Sequence, residues 1–279
     1  MVELMPQITV KCEGLNPSGY GIIAANQRKY LVPNLLPDEE AVIELTDTGY
    51  GKVIKLLSTS PIRVKPQCAR YNDCGGCHLQ HLEYQSQLDL KTRLVQECIK
   101  NNGMDALLVL PCIGMKNPYH YRNKIQMVMS EKGKKVMAGF YEENTHRIVN
   151  VDDCPIQDEI ANQIIRTCKE LMAKHKIPPF DENKEMGLIR HIMIKRSDVS
   201  KQILVILVTV QEIFPGRNNF VKDLRKAHPE ITSIVQNVND RRTSAVLGDF
   251  ERVIYGPGTI EDEMHGKKFI ISPKTFYQV

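Results

Sequence analysis

Short apolar stretches separated by Gly, Pro, Asn and Asp mark the first sixty residues. Ile8–Val10, Gly19–Ala24, Tyr30–Val32, Ala41–Leu45 and Lys52–Leu57 each alternate or run apolar at strand length. Five such segments predict a small OB-like five-stranded β-barrel over residues 1–60. The pattern breaks at Ser60-Pro61 and Lys65-Pro66, which read as a linker. Tyr84–Ile99 then reads as a helix, with Leu88, Val95, Cys98 and Ile99 near one face and Asn101-Asn102-Gly103 as its stop.

Strand patterns return at Tyr121. Lys124–Ser130 and Lys135–Tyr141 flank Glu131-Lys132-Gly133-Lys134, a hairpin signal. Pro155–His175 carries Ile160, Ile164, Cys168, Leu171 and Met172 at helical spacing. Leu188–Arg196 and Gln202–Val210 form a second strand pair around Ser197-Asp198. Asn219–Ala227 reads as a short helix, and Ile231–Val238 and Arg252–Tyr255 as further strands. The expected class is therefore α+β: the barrel over 1–60, then a separate α+β domain over 61–270.

Composition adds limits more than direction. The 279 residues are 42% hydrophobic and 25% charged, with no Trp and a formal charge of +4, which permits a nucleic-acid partner without demanding one. Residues 1–60 hold five basic and seven acidic side chains, so the barrel does not grip phosphate by charge alone. Met1–Val10 has an acidic residue and a Pro and lacks the apolar core of a signal peptide. The longest strongly apolar run, Ile203–Val210, is strand-length and far short of a membrane span. A cytoplasmic protein with no membrane partner is expected.

Eight cysteines without a secretory signal argue against a disulfide framework, because the cytosol keeps thiols reduced. Cys68, Cys74 and Cys77 lie within ten residues, and Cys154 stands far downstream, followed by Pro155. Thiolates are soft ligands for zinc or iron–sulfur clusters. A 4Fe-4S cluster needs four of them, and some ferredoxin ligand runs end in Cys-Pro. Gly75 and Gly76 leave room for backbone N–H groups to approach the sulfurs. Zinc remains the alternative, although zinc ribbons usually present two closely spaced pairs and Cys154 has no near neighbour in sequence. Cys12, Cys98, Cys112 and Cys168 read as ordinary thiols, Cys98 and Cys168 on apolar helix faces.

The segment Cys68-Ala-Arg-Tyr-Asn-Asp-Cys74-Gly-Gly-Cys77-His78-Leu79-Gln80-His81-Leu82, with Tyr84, Gln87 and Lys91 after it, closely resembles the cluster-binding segment of the iron–sulfur RNA uracil-C5 methyltransferases, the 23S ribosomal RNA uridine type. Gly14, Gly19, Gly21, Leu36-Pro37, Glu39 and Ser60-Pro61-Ile62-Arg63 resemble that family's RNA-binding TRAM domain. Tyr121-Arg122-Asn123-Lys124, Gly139-Phe140-Tyr141, Cys154-Pro155, Gly187–His191, Ser233-Ile234, Asn237, Asn239, Tyr255-Gly256 and Phe269–Val279 follow in family order.

The resemblance implies a 4Fe-4S cluster on Cys68, Cys74, Cys77 and Cys154, S-adenosylmethionine as methyl donor, and RNA, ribosomal RNA foremost, as substrate. It implies phosphate contacts from Arg122, Lys124 and Arg190, where arginine offers a bidentate fork. Tyr20 and Tyr30 are base-stacking candidates, and Arg241-Arg242 reads as a solvated turn.

In this family a cysteine adds to C6 of uracil, C5 takes the methyl group, and a carboxylate removes the C5 proton. Those groups lie in a carboxy-terminal Rossmann-like domain. Residues 271–279 read as its entry, with Gln278 matching the first cofactor-contacting Gln. The expectation is that this domain is absent, that no catalytic residue stands in the chain, and that the chain, a monomer, is inactive alone. Helix 84–102 is expected to pack towards the missing part. The alternative is a stand-alone, non-catalytic RNA-binding module holding an Fe–S cluster or zinc.

Overall fold

The computed structural model describes residues 7–104 and 106–278. The ends of the barrel and methyltransferase-entry expectations, residues 1–6 and Val279, lie outside the described residues. The chain forms two compact units, Met1–Lys116 and Asn117–Val279. The cysteine-bearing loop and the helix after it thus belong with the amino-terminal strands, where the sequence reading grouped them with the following domain.

The first unit contains β1 (Gln7–Lys11), β2 (Gly14–Leu15), β3 (Gly21–Ala25), β4 (Arg28–Val32), β5 (Glu40–Leu45), β6 (Gly51–Leu56) and α1 (Tyr84–Asn101). The five-stranded barrel is corrected here. Six strands form two three-stranded antiparallel sheets, in orders β1-β5-β6 and β2-β3-β4. The extra strand is the two-residue β2, too short to show alternation. Both sheets enclose one core of Cys12, Ile23, Val32, Leu35, Ala41, Ile43 and Leu45. Each such buried aliphatic side chain contributes roughly 1.5–3 kcal/mol.

Helix α1 packs through Leu88 and Leu90. Val95 and Cys98, placed on its apolar face by sequence spacing, are exposed. The mean character of α1 is polar, and only its first half is held by the unit.

The second unit contains β7 (Lys124–Lys132), β8 (Lys135–Tyr141), β9 (Ile148–Asn150), α2 (Glu159–Lys174), β10 (Ile189–Arg196), β11 (Ile203–Thr209), α3 (Arg217–Ala227), β12 (Ile231–Val238), β13 (Phe250–Tyr255), β14 (Ile260–Met264) and β15 (Lys267–Ile271). Seven strands form one sheet in the order β13-β12-β11-β10-β7-β8-β9. All neighbours are antiparallel except β11 and β12, which run parallel because α3 carries the crossover between them. The pair β14-β15 is a separate hairpin.

Helix α2 starts at Glu159, four residues after the start its periodicity suggested. Asp158 caps it, its side chain accepting from the Ala161 amide at 3.1 Å. Residues 155–157 instead run alongside Arg122, whose amide donates to the Ile156 carbonyl at 2.9 Å. On β7, buried Ile125, Met127 and Met129 alternate with half-buried Gln126 and Val128, as a two-faced strand requires.

One buried charge organises the first unit. Glu39 is fully enclosed (0% exposed) and accepts from the Leu36 amide at 2.8 Å, the Ser60 amide at 3.1 Å and the Arg63 guanidinium at 2.5 and 2.7 Å. Burial pushes its carboxyl up, but the Arg63 hydrogen bonds and the two amides outweigh this and hold it below its ordinary value of 4.5. Its contribution is therefore complete above the unfolded-state value and is lost as pH falls through the lower folded-state value. Glu39→Ala leaves Arg63 partly buried without its counter-charge, and is expected to cost about 3–5 kcal/mol of unfolding free energy at pH 7 by urea titration. A loss under about 1 kcal/mol contradicts this assignment.

Candidate functional site

The cysteine loop of the first unit is built outward from the Glu39–Arg63 pair. Arg63 bridges in antiparallel fashion to Leu82, and the Val64 amide donates to the His81 carbonyl at 2.9 Å. His81, 1% exposed, meets the Tyr71 hydroxyl through Nδ1 at 2.6 Å, and that hydroxyl donates to the His78 carbonyl at 2.7 Å. Burial, then the Arg63 charge, pulls His81 down to about 4, so the ring is neutral at pH 7. Burial pushes the Tyr71 phenol up, so it stays protonated and can donate.

Between these anchors the loop turns tightly. The Tyr71 amide donates to Cys68 O at 3.2 Å and the Cys74 amide to Arg70 O at 2.8 Å. The Arg70 amide points at Cys68 Sγ, 3.4 Å away. The Cys68 amide is held by Gln80 Oε1 at 3.1 Å. A Cβ on Gly76 would stand 3.4 Å from Cys74 Sγ, so the glycine keeps that side of the sulfur open. Cys68, Cys74 and Cys77 are all half-buried. Burial raises the Cys68 thiol; the Arg70 amide opposes this and the nearby Cys77 adds to it. Ligation by a cation reverses that balance, since a coordinating thiol is deprotonated outright.

Cys154, in the second unit, is buried, and its backbone is pinned by Asn162 of α2. Among the described residues no group of three or more His, Cys, Asp or Glu is placed to hold a metal ion. Cys68, Cys74 and Cys77 share one short turn, with the Arg70 amide directed at Cys68 Sγ and Gly76 beside Cys74 Sγ, and thiols are the donor type that soft metals take.

The candidate RNA contacts fare differently from one another. Arg190 is buried and committed within its own unit: its guanidinium donates to Asn239 O at 3.2 Å, Arg241 O at 2.8 Å and Glu182 Oε1 at 3.0 Å. It braces loops and has no free fork for a phosphate. Arg122 is half-buried, with Nε enclosed and lacking a partner. Lys124 lies over the Phe276 ring, 4.9 Å from its centroid. Tyr20 is buried edge-on against His78 and Tyr50, so its ring is not a stacking platform, and Tyr30 packs against the strand core. Arg241 and Arg242 are exposed, as a turn predicts.

Sequence reasoning missed Lys195. It is 3% exposed, and its ammonium donates to Ser272 O and Pro273 O at 2.8 Å and Thr275 O at 2.6 Å. Burial, then the Lys124 charge, pulls it down to about 8, so it remains charged at pH 7. It fixes the segment that carries the exposed Gln278. Its strand also holds Arg190, His191 and Arg196, so nothing in the sequence marked Lys195 as the buried brace. Tyr277 adds a second tie, donating to Asp262 Oδ2 at 3.1 Å.

No protein-family model matches the chain. It is 39% identical over 277 residues to an uncharacterized RNA methyltransferase of Oceanobacillus iheyensis, covering 97% of this chain and 60% of that protein. Uncharacterized RNA methyltransferases of Halalkalibacterium halodurans and Listeria monocytogenes are each 37% identical, covering 98% of this chain and 60% and 61% of theirs. The chain thus spans about 60% of the length of these relatives. Its fold is like that of the Pyrococcus abyssi tRNA (uracil-54, C5)-methyltransferase crystallised with S-adenosyl-L-homocysteine. The TM-score is 0.73 at 24% identity, covering 96% of this chain and 60% of the other.

These likenesses correct two expectations. One was that a methyltransferase domain is absent and the chain an inactive fragment; the other was a stand-alone, non-catalytic module. Similarity to uncharacterized RNA methyltransferases runs through 97% of this chain, and the fold likeness through 96%. Where the sequence stops supports no statement about what is missing. No described helix is long and apolar enough to cross a membrane.

Lys195→Met removes a donor from three buried carbonyls. Amide hydrogen exchange at Ser272 and Thr275 is expected to accelerate at least tenfold, with β11 little changed. Unchanged exchange at those amides contradicts the bracing role.

Proposed function

We propose that this protein acts as an S-adenosylmethionine-dependent RNA methyltransferase that forms 5-methyluridine, with ribosomal RNA as substrate, in the cytoplasm. The observation carrying this reading is the alignment of nearly all of this chain with about 60% of uncharacterized RNA methyltransferases at 37–39% identity. The fold likeness to a uracil-C5 enzyme supports the choice of base and atom. Ribosomal RNA is chosen over transfer RNA because the cluster-bearing branch of the family it resembles usually acts there, although some of its members act on transfer RNA.

Cys68, Cys74, Cys77 and Cys154 are the donors we assign to a 4Fe-4S cluster. A cluster held by these thiols would have a structural role, since uracil methylation involves no net redox change. The strands of the first unit follow the TRAM pattern and are assigned to RNA binding. In the second unit, Lys124 and Arg122 are the cations assigned to phosphate, and Gln278 the cofactor contact. Lys195 holds the Gln278 segment in place.

Disruption of the gene, followed by nucleoside mass spectrometry of separated ribosomal and transfer RNA, tests this. Loss of one 5-methyluridine from ribosomal RNA is expected, with restoration by the intact gene. Loss confined to transfer RNA changes the substrate, and unchanged 5-methyluridine in both fractions contradicts the activity.

A further inference from the structure

The second unit's sheet has one face that is only partly covered. Met193 of β10 pairs with Gln126 of β7, and His191 with Val128, so these four share a face. Met193 joins a cluster with Leu204, Ile206, Val208 and Val235, sealed by Ile260 and Ile271 of the β14-β15 hairpin and by Val246 and Leu247. The seal ends before β7 and β8. A cleft of about 820 Å³ opens there, with Gln126, Val128 and His191 at its floor.

The walls are fixed in advance by buried Arg190. Its guanidinium ties Glu182 on one side to the carbonyls of Asn239 and Arg241 on the other, and it lies 5.6 Å from the Phe180 ring centroid. Phe140, Tyr141 and Phe180 give the cleft aromatic surface, and Arg241 and Arg242 stand at its rim. The rim is not simply cationic: Arg242 pairs with Glu185, and Asp240 lies beside them. A rim of mixed charge gives phosphate little grip, so recognition in this cleft falls to its aromatic surface and its floor.

At the floor, His191 is 7% exposed, and its Nδ1 is enclosed without a hydrogen-bond partner. Burial, then the Arg190 charge, pulls its imidazole down to about 4. A neutral imidazole offers one donor and one acceptor, as a nucleobase edge requires.

We propose that this cleft receives one unstacked nucleotide of the RNA, with its ring against Tyr141 and Phe180 and its edge towards His191 and Gln126. This rests on the RNA-substrate reading above. Aromatic rings take bases of any identity, and the floor's amide and imidazole then discriminate among their edges. The Arg190 brace makes the pocket ready before RNA arrives, which lowers the ordering cost of binding.

Photocrosslinking of the intact protein to a single-stranded ribosomal RNA oligonucleotide carrying 4-thiouridine, with mass spectrometry of the peptides, tests the placement. Adducts within residues 140–146, 180–191 or 240–246 are expected. In parallel, Tyr141→Ala and Phe180→Ala are expected to weaken oligonucleotide binding about tenfold with melting temperature retained. Tyr141→Phe is expected to stay within threefold, because the ring is kept. Tight binding with adducts only elsewhere, or with both alanine variants unaffected, overturns the cleft assignment and leaves the RNA reading standing. No binding of any RNA by the protein overturns that reading and the cleft with it.

Discussion

A carboxylate with no access to water sets the terms for the first unit. Glu39 can remain ionised only while Arg63 and two backbone amides surround it. That demand fixes the chain at Leu36, Ser60 and Arg63 together, and so joins the strand core to the segment that follows. From Arg63 the constraint passes through the Leu82 bridge to His81, just after the cysteine turn, and from it to Tyr71 inside the turn. The turn is held by hydrogen bonds and by a neutral histidine, with little apolar packing of its own. A soft metal bound there meets a loop already shaped, so less of its binding energy goes into ordering the chain.

The second unit uses buried cations in the same manner. Lys195 gathers three carbonyls of residues 272–275, and Arg190 gathers two carbonyls and a carboxylate across two loops. Each cation converts irregular backbone into fixed geometry beside the sheet. One secures the segment carrying Gln278, and the other the walls of the open cleft. Both cations are spent inside the protein, which leaves fewer basic groups for RNA than a count of arginines and lysines suggests. Under the proposed RNA reading, recognition on this unit depends more on shape and aromatic surface than on net charge, consistent with a formal charge of only +4.

Much of the strand and helix content was legible because alternation at period two and period 3.6 reports burial directly. β7, β8, β10, β11 and β12 stand close to where their patterns lie. Errors fell where a local interaction outranked periodicity. Asp158 set the start of α2, and the two-residue β2 had no period to show. Cys98 met solvent because α1 is only half engaged. Among candidate contacts, Arg190 read as a free cation because a sequence displays charge and hides its acceptors, here main-chain carbonyls about fifty residues away. Lys195 was overlooked for the same reason. The cysteine motif was visible in spacing, whereas its support by Glu39, Arg63, His81 and Tyr71 depends on side-chain contacts that no spacing reveals.

The central proposal is that Cys68, Cys74 and Cys77 supply thiolates to an iron–sulfur centre. Anaerobic purification with iron and acid-labile sulfide analysis tests it most directly. The account predicts about four iron and four sulfide per chain, with broad absorption near ~400 nm. Stoichiometric zinc, or a well-folded protein holding neither metal nor sulfide after anaerobic isolation, contradicts it.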